Sequence, residues 1–420
     1  MTSPRRNRRA GVVASLGTAQ TLAWASTYYL PAILAVPMAR DLGTTVPTVF
    51  AAFSVALIVS ALIGPRSGAA IDRLGGRPVL MATSVVFALG LAGLGMAQGP
   101  AGLFAAWIVL GIGMGSGLYE SAFASLVRLY RRDARTSITG ITLIAGFAST
   151  VGWPLSAWLE SQYGWRHACF VWAALHLLIG LPLNALLPKA ASTTEPAVTS
   201  AAETAETQAP AEAPETQAPA EAPAARQAWR PMLILSFVFA STWFISTAMA
   251  AHLPRLMQAA GATLATAVLV GSLIGPAQVA ARVAEFGWLR QVHPLLSARL
   301  ASAMHPIGVG VLLVGGPALA PLFGILHGAG NGILTIAKGT LPLVLFGSAG
   351  YGARQGWLMV PARVAQALAP FLFGIALDRL QAGALWVTAG IGLAAFAALL
   401  ALRAQAPADA PAILSAGTPR

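Results

Sequence analysis

Four ionisable side chains lie deep inside apolar runs of this sequence: Glu120, Arg282, Lys338 and Arg363. A charge near the centre of a bilayer costs about 2.5–3.5 kcal/mol on insertion scales, so each of these positions needs a compensating partner or guest. Each stands about six or seven residues from one end of its run, which at about 1.5 Å per residue places all four about 10 Å into the core. Helical spacing gives the cations polar neighbours on their own faces: Gln278, Arg282 and Glu285; Asn331, Thr335 and Lys338; Met359, Arg363 and Gln366. Three interior cations against Glu120, with Glu285 nearer the surface, make an electropositive chamber whose low-dielectric walls strengthen the field. The chemistry that suits it is reversible capture of an organic anion, because a guanidinium offers paired donors to both oxygens of a carboxylate. Gln20, Trp24 and Tyr28, at four-residue spacing in the first run, are expected to close over the guest from the opposite side. Glu120 has two readings. It is either a proton carrier, since burial and a nearby cation act oppositely on a carboxyl's proton affinity, or a fixed counter-ion to Lys338. Arg282 and Lys338 have alternatives of their own: pairing of Arg282 with Glu285, and snorkelling of either stem to the aqueous boundary.

Composition dictates what positions these groups. Of 420 residues, 56% are apolar and 10% charged, whereas soluble domains carry about 25% charged residues. A water-soluble enzyme is excluded. Apolar runs occupy 11–38, 47–70, 78–98, 101–127, 137–159, 167–187, 231–257, 264–288, 298–317, 320–346, 356–377 and 384–402, each near the roughly 20 residues that one crossing needs. Glu120 then lies in the fourth span, Arg282 in the eighth, Lys338 in the tenth and Arg363 in the eleventh. Arg5-Arg6-Asn7-Arg8-Arg9 and the small residues of Ala23-Trp24-Ala25 imitate a cleaved leader. The run is too long for one, and its loss would leave an odd number of spans. From 188 to 230 the composition shifts to Ala, Pro, Glu and Thr, and Glu206–Pro214 is repeated in tandem as Glu215–Pro223. With no apolar face to bury, this segment is expected to be a disordered tether.

The chain thus divides into a six-helix bundle at 1–187, a cytoplasmic linker at 188–230, a second six-helix bundle at 231–405 and a tail at 406–420. Arg and Lys counts in alternate loops set the orientation. One side collects the basic N-terminus with Arg73, Arg77, Arg128, Arg131, Arg132, Arg135, Lys189, Arg226, Arg230, Arg290, Arg299, Arg354 and Arg403; the other has Arg40, Arg166, Arg255 and Arg379. Both termini are therefore expected in the cytoplasm of a bacterial-type inner membrane. The formal charge of +12 is spread between apolar runs as a topology signal, which argues against a nucleic-acid partner. The single cysteine, Cys169, excludes a disulfide framework.

The two halves echo each other. Leu62-Ile63-Gly64-Pro65 in the second span matches Leu273-Ile274-Gly275-Pro276 in the eighth, and Gly113-x-Gly115-x-Gly117 in the fourth matches Gly328-x-Gly330-x-Gly332 in the tenth. These glycines suit close helix packing and lack the spacing of a nucleotide loop. Duplicated halves around a midplane site are the layout of a secondary transporter.

Between the second and third spans the chain reads Gly68-Ala-Ala-Ile-Asp72-Arg73-Leu-Gly75-Gly76-Arg77. This resembles the loop signature G-x-x-x-D-R-x-G-x-R of the major facilitator superfamily, and it matches at every defined position. The resemblance implies an all-α membrane protein of twelve transmembrane helices, arranged as two pseudo-symmetric six-helix bundles and working by alternating access. It also implies that Gly68, Asp72, Arg73 and Arg77 form a latch that holds one access state closed. Energy would come from a co-transported proton or a counter-anion, with no cofactor, in a monomer. Arg131-Arg132-Asp133-Ala134-Arg135, Gly140, Gly146, Pro154 and Tyr163-Gly164-Trp165-Arg166 resemble the monocarboxylate and oxalate/formate branches. That resemblance places anion recognition on the eighth and eleventh spans, where Arg282 and Arg363 stand. The drug/proton antiporter branch expects an arginine where this chain has Ala105-Ala106-Trp107, and Gly-Pro-x-x-Gly-Gly where it has Gly152-Trp153-Pro154-Leu155-Ser156-Ala157. An efflux pump for amphiphiles is the alternative, and a membrane receptor that moves nothing is the alternative of another class. His176 and His305 fall on spans outside the cavity and are read as packed, hydrogen-bonded residues.

Overall fold

The computed structural model describes residues 4–189, 222–288 and 292–402, which form helices and short turns with no strand among the described residues. The first half contains α1 (Pro4–Ser26), α2 (Pro31–Asp41), α3 (Val46–Leu74), α4 (Gly76–Met96), α5 (Pro100–Gly117), α6 (Tyr119–Tyr130), α7 (Ala134–Ala145), α8 (Ala148–Leu175) and α9 (Leu181–Ala185). The second contains α10 (Ala222–Ala259), α11 (Leu264–Gly287), α12 (Pro294–Gly315), α13 (Ala320–Phe346), α14 (Tyr351–Leu380) and α15 (Ala384–Leu400). Among the described residues, nine continuous helical stretches are long and apolar enough to cross a bilayer, and three of them run to 52, 53 and 50 residues. At about 1.5 Å per residue, each of these three is over twice the roughly 30 Å of a hydrocarbon core. Each folds back once, at Gly164 (φ 80°), Gly316 (φ 62°) and Gln381 (φ 51°). Twelve crossings result, six in each half.

The start of α1 and the end of α15 share one face. Arg9 reaches Ser137 (2.8 Å), Arg135 reaches the Val292 carbonyl (3.0 Å) and Arg299 reaches the carbonyls of Leu399 (3.1 Å) and Leu402 (2.6 Å). These contacts tie the start of α1, the α6–α7 turn, the α11–α12 turn and the end of α15 together. At the opposite face, Trp165 donates to Asp41 (2.9 Å) and Arg166 to the Gly95 carbonyl (2.9 Å). The expected tether and tail at 190–221 and 406–420 lie outside the described residues. The expected start of the second half needs correction, because α10 is already helical from Ala222, so 222–230 belong to a helix and not to a disordered linker.

Small residues set the helix spacing, in a register different from the sequence match. A Cβ at Gly111 or Gly115 would lie 2.6 and 2.7 Å from the carbonyls of Ala56 and Ser60 on α3; one at Gly328 or Gly332 would lie 2.6 and 2.5 Å from those of Ile274 and Gln278 on α11. Gly113 and Gly117 face Phe87 and Thr83 on α4, whereas Gly330 faces Ala301 on α12. Gly111 and Gly115 on the fourth crossing thus have the setting of Gly324, Gly328 and Gly332 on the tenth, all of which are seated on α11. The sequence pairing of 113–117 with 328–332 joins opposite helix faces.

Three crossings are interrupted. The first breaks at Thr27–Leu30 and restarts on Pro31, whose fixed φ suits a helix start. The fourth breaks at Leu118, extended at φ −82°, ψ −167°. The fifth breaks at Gly146-Phe147, between α7 and α8. Each break leaves backbone groups without helical partners at depth, where water is scarce.

Candidate functional site

Two seams join the halves. Along α3–α14, Ser54 donates to the Ala367 carbonyl (3.3 Å), and a Cβ at Gly356 would lie 2.5 Å from the Cα of Pro65. A Cβ at Gly68 would lie 1.9 Å from the Gly352 carbonyl oxygen, so backbone touches backbone. The Asp72 carboxylate then accepts the N–H groups of Gly352 (2.9 Å) and Ala353 (2.9 Å). It caps the positive end of α14 across the seam. Asp72 closes on a helix terminus, and among the described residues no ion pair joins it to exposed Arg73 or to half-buried Arg77. Gly75 supplies the positive φ (85°) that ends α3, and Gly76 packs against Ser125 where no Cβ would fit.

The second seam joins α7 to α11. Arg282 Nη1 donates to the Thr142 carbonyl (3.1 Å) and lies over Gly146, where a Cβ would come within 2.5 Å of it. Glu285 pairs with Arg135 across the halves (3.1 Å) and not with Arg282. Arg282 is 5% exposed, so its stem stays in the core.

Between the seams, at the junction of the halves, the structure gathers Trp24, Tyr28, Tyr119, Glu120, Trp243, Lys338, Arg363 and Gln366. Arg363 Nη2 pairs with Glu120 (2.9 Å), and its Nη1 donates to Gln366 Oε1 (2.9 Å). Glu120 stands in the first turn of α6, directly after the Leu118 break, which is why a carboxylate is tolerated at this depth. The direct ion pair of Glu120 is with Arg363, and its charge also acts on Lys338. Lys338, 5% exposed, places Nζ 4.1 Å from the centroid of the Trp243 indole, and Arg363 Cζ is 5.4 Å from the same ring. Among the described residues no carboxylate lies within ion-pairing distance of Lys338 or Arg282. Arg282 is near enough for its charge to act on Tyr119 and Lys338. The wall is aromatic: Trp24 stacks parallel to Trp243 (6.2 Å, 7°), with Tyr119 at 4.9 Å and Tyr28 at 5.3 Å from Trp24. The Tyr28 hydroxyl is 3.5 Å from that of Thr247 across the halves. Four donors are buried without an acceptor: Trp24 Nε1, Trp243 Nε1, Gln366 Nε2 and Arg282 Nε.

Gln20 is not part of this wall. It points into the first half and donates to the Gly117 carbonyl (2.6 Å), the group freed by the α5–α6 break. Its helix ends at Ser26, so Tyr28 lies in a turn and the three residues never share one stripe. Asn331 accepts from Ser246 on α10 (2.7 Å), and half-buried Gln278 supports Gly332 through its backbone. His176 bonds Ser26 (2.8 Å), and His305 bonds His327 (3.0 Å) away from the junction. Sequence reasoning missed Trp243 and Tyr119. The available signal for Trp243 was polar spacing within an apolar run, Trp243, Ser246 and Thr247.

Twelve crossings in two packed halves, with charged and aromatic side chains buried where the halves meet, define a membrane transporter. The chain belongs to the Major Facilitator Superfamily, whose family model matches residues 16–353. It is similar in fold to the human organic anion transporter MFSD10 (TETRAN), at 18% identity and TM-score 0.64 over 95% of this chain and 100% of that one. It is also similar to FucP in its outward conformation, at 14% identity and TM-score 0.69 over 92% and 97%. A third likeness is to the proton:xylose symporter XylE, at 13% and 0.68 over 93% and 95%. A curated relative, an uncharacterized 38 kDa protein in the 23S RNA operon of Thermoproteus tenax, is 33% identical over 155 residues, spanning 37% of this chain and 40% of that protein.

Proposed function

We propose that this transporter moves a small organic anion, a carboxylate, by alternating access across a bacterial-type inner membrane, with both termini in the cytoplasm. The observation that carries the reading is the imbalance at the junction. Lys338 and Arg282 are buried with no carboxylate in ion-pairing distance among the described residues, and along the aromatic wall the unpaired groups Trp24 Nε1, Trp243 Nε1 and Gln366 Nε2 are donors, although Gln355 Oε1 and Glu285 Oε2 nearby are unpaired acceptors. An anionic guest supplies what these groups lack, since a buried cation left alone is costly. Arg363 is held by Glu120 until the carboxylate is protonated or the guest competes for the guanidinium. Glu120 is in this reading the proton carrier, and a counter-anion arriving on the other face serves the same end. A monoanion entering against about 100 mV loses about 2.3 kcal/mol, which one co-transported proton cancels.

The test is uptake into proteoliposomes from a panel of carboxylates, with wild type beside Lys338→Met, Arg282→Met and Arg363→Met. Loss of about tenfold or more in uptake of the best carboxylate is expected for Lys338→Met. Unchanged uptake in all three variants overturns the anion site, and accumulation of bulky cations in its place points to an efflux pump. A carboxylate that stabilises the protein yet is never accumulated makes it a receptor.

A further inference from the structure

The anion reading leaves the body of the cargo open, and the aromatic wall narrows it. Trp24 comes from the first half and Trp243 from the second, yet their indoles are parallel within 7° at a centroid separation of 6.2 Å. Parallel rings in contact at this centroid distance are offset, a favoured aromatic geometry, and here the overlap is made across the plane where the halves meet. Trp243 packs against the apolar cores of both halves, so it moves with one and rests on the other. When the halves separate, two parallel indole faces are uncovered together. A flat ring sliding between them restores both faces on closure, and needs about 7 Å between the planes, twice an aromatic contact of about 3.5 Å. A saturated ring is thicker and holds the halves further apart. Both indole N–H groups are buried without an acceptor. Lys338 supplies the charge beside this gap, resting on Trp243 at 4.1 Å with a flexible stem that can leave the indole for a carboxylate.

We propose that the cargo is a planar aromatic monocarboxylate, its ring stacked between Trp24 and Trp243 and its single carboxylate paired with Lys338. Lys338 is the pairing partner, since Arg363 has Glu120 and the Arg282 guanidinium is anchored on the Thr142 carbonyl, from where its charge adds to the field around the guest. The proposal rests on the anion reading, and the experiment separates the two. Wild-type protein in proteoliposomes is offered benzoate, cyclohexanecarboxylate, benzamide, acetate, lactate and succinate, with thermal stabilisation by each measured in parallel. Benzoate is expected to be taken up about tenfold better than cyclohexanecarboxylate, and benzamide not at all. Trp243→Phe keeps that preference and Trp243→Leu brings the ratio near one, both at a melting temperature that shows a folded protein. If cyclohexanecarboxylate or an aliphatic acid is taken up as well as benzoate, the stacking proposal falls and the anion reading stands. If none of the carboxylates is taken up or stabilises the protein, both fall.

Discussion

The two seams occupy symmetry-related places and are built from opposite materials. On α3, Gly68 presses its backbone onto Gly352, and Asp72 caps the helix it has met. In the second seam α11 contributes Arg282, reaching over Gly146 to one carbonyl, with Arg135 and Glu285 beside it. Backbone contact of the first kind has no slack, because the interdigitation runs from Ser54 to Asp72 and any separation opens a void along its length. The second seam consists of long side chains that can swing and re-form bonds, and among the described residues no hydrogen bond joins α8 to α11 beyond it. Duplication has left one junction suited to turning in contact and one suited to parting.

Substitutions should separate the two. Gly68→Leu forces a side chain into the Gly352 backbone and is expected to abolish uptake and cost more than about 3 kcal/mol, read as a collapse of the melting temperature. Arg135→Ala strands Glu285, which is 4% exposed; a loss of about 2 kcal/mol with uptake impaired but present would mark the second seam as the more forgiving. Asp72→Asn keeps the shape and removes the charge at the end of α14, for about 1 kcal/mol in thermal unfolding.

Acid should reach the second seam through His293. His293 accepts the Leu295 N–H on Nδ1 (3.2 Å), and burial, with Arg135 and Arg299 nearby, lowers its proton affinity. The unfolded chain then takes up the proton first, so stability is complete above about pH 6.5 and declines as pH falls below it. Melting curves between pH 8 and pH 5 should show the decline, and His293→Gln should make it shallower. Smallest of all, Gly275→Ala has nothing within 4 Å to meet and should shift stability by no more than about 0.5 kcal/mol. An effect comparable to that of Gly68→Leu would erase the contrast between the seams.

The crossings were legible because length and apolarity decide them locally, and Glu120, Lys338 and Arg363 were legible because a charge in such a run needs an explanation. Their partners were not. Glu120 found Arg363, 243 residues away, a choice made by the packing of α6 on α14. Gln20 misled because helical spacing assigns a face only while the helix continues, and α1 stops at Ser26. The Asp72 motif was recognised, but its partner is a pair of backbone N–H groups with no side-chain signature. The glycine repeats matched in letters and differed in register, since an alternate-residue run of glycines presents small surface to two neighbours at once.

The break at Leu118 has a consequence for Glu120. Because the fourth crossing is two helices meeting end to end, the amides at the start of α6 form a fixed positive pole at mid-depth, beside that carboxylate. Unlike the Arg363 side chain, this pole cannot change rotamer. The interrupted rod thus adds a built-in countercharge to the cations of the junction.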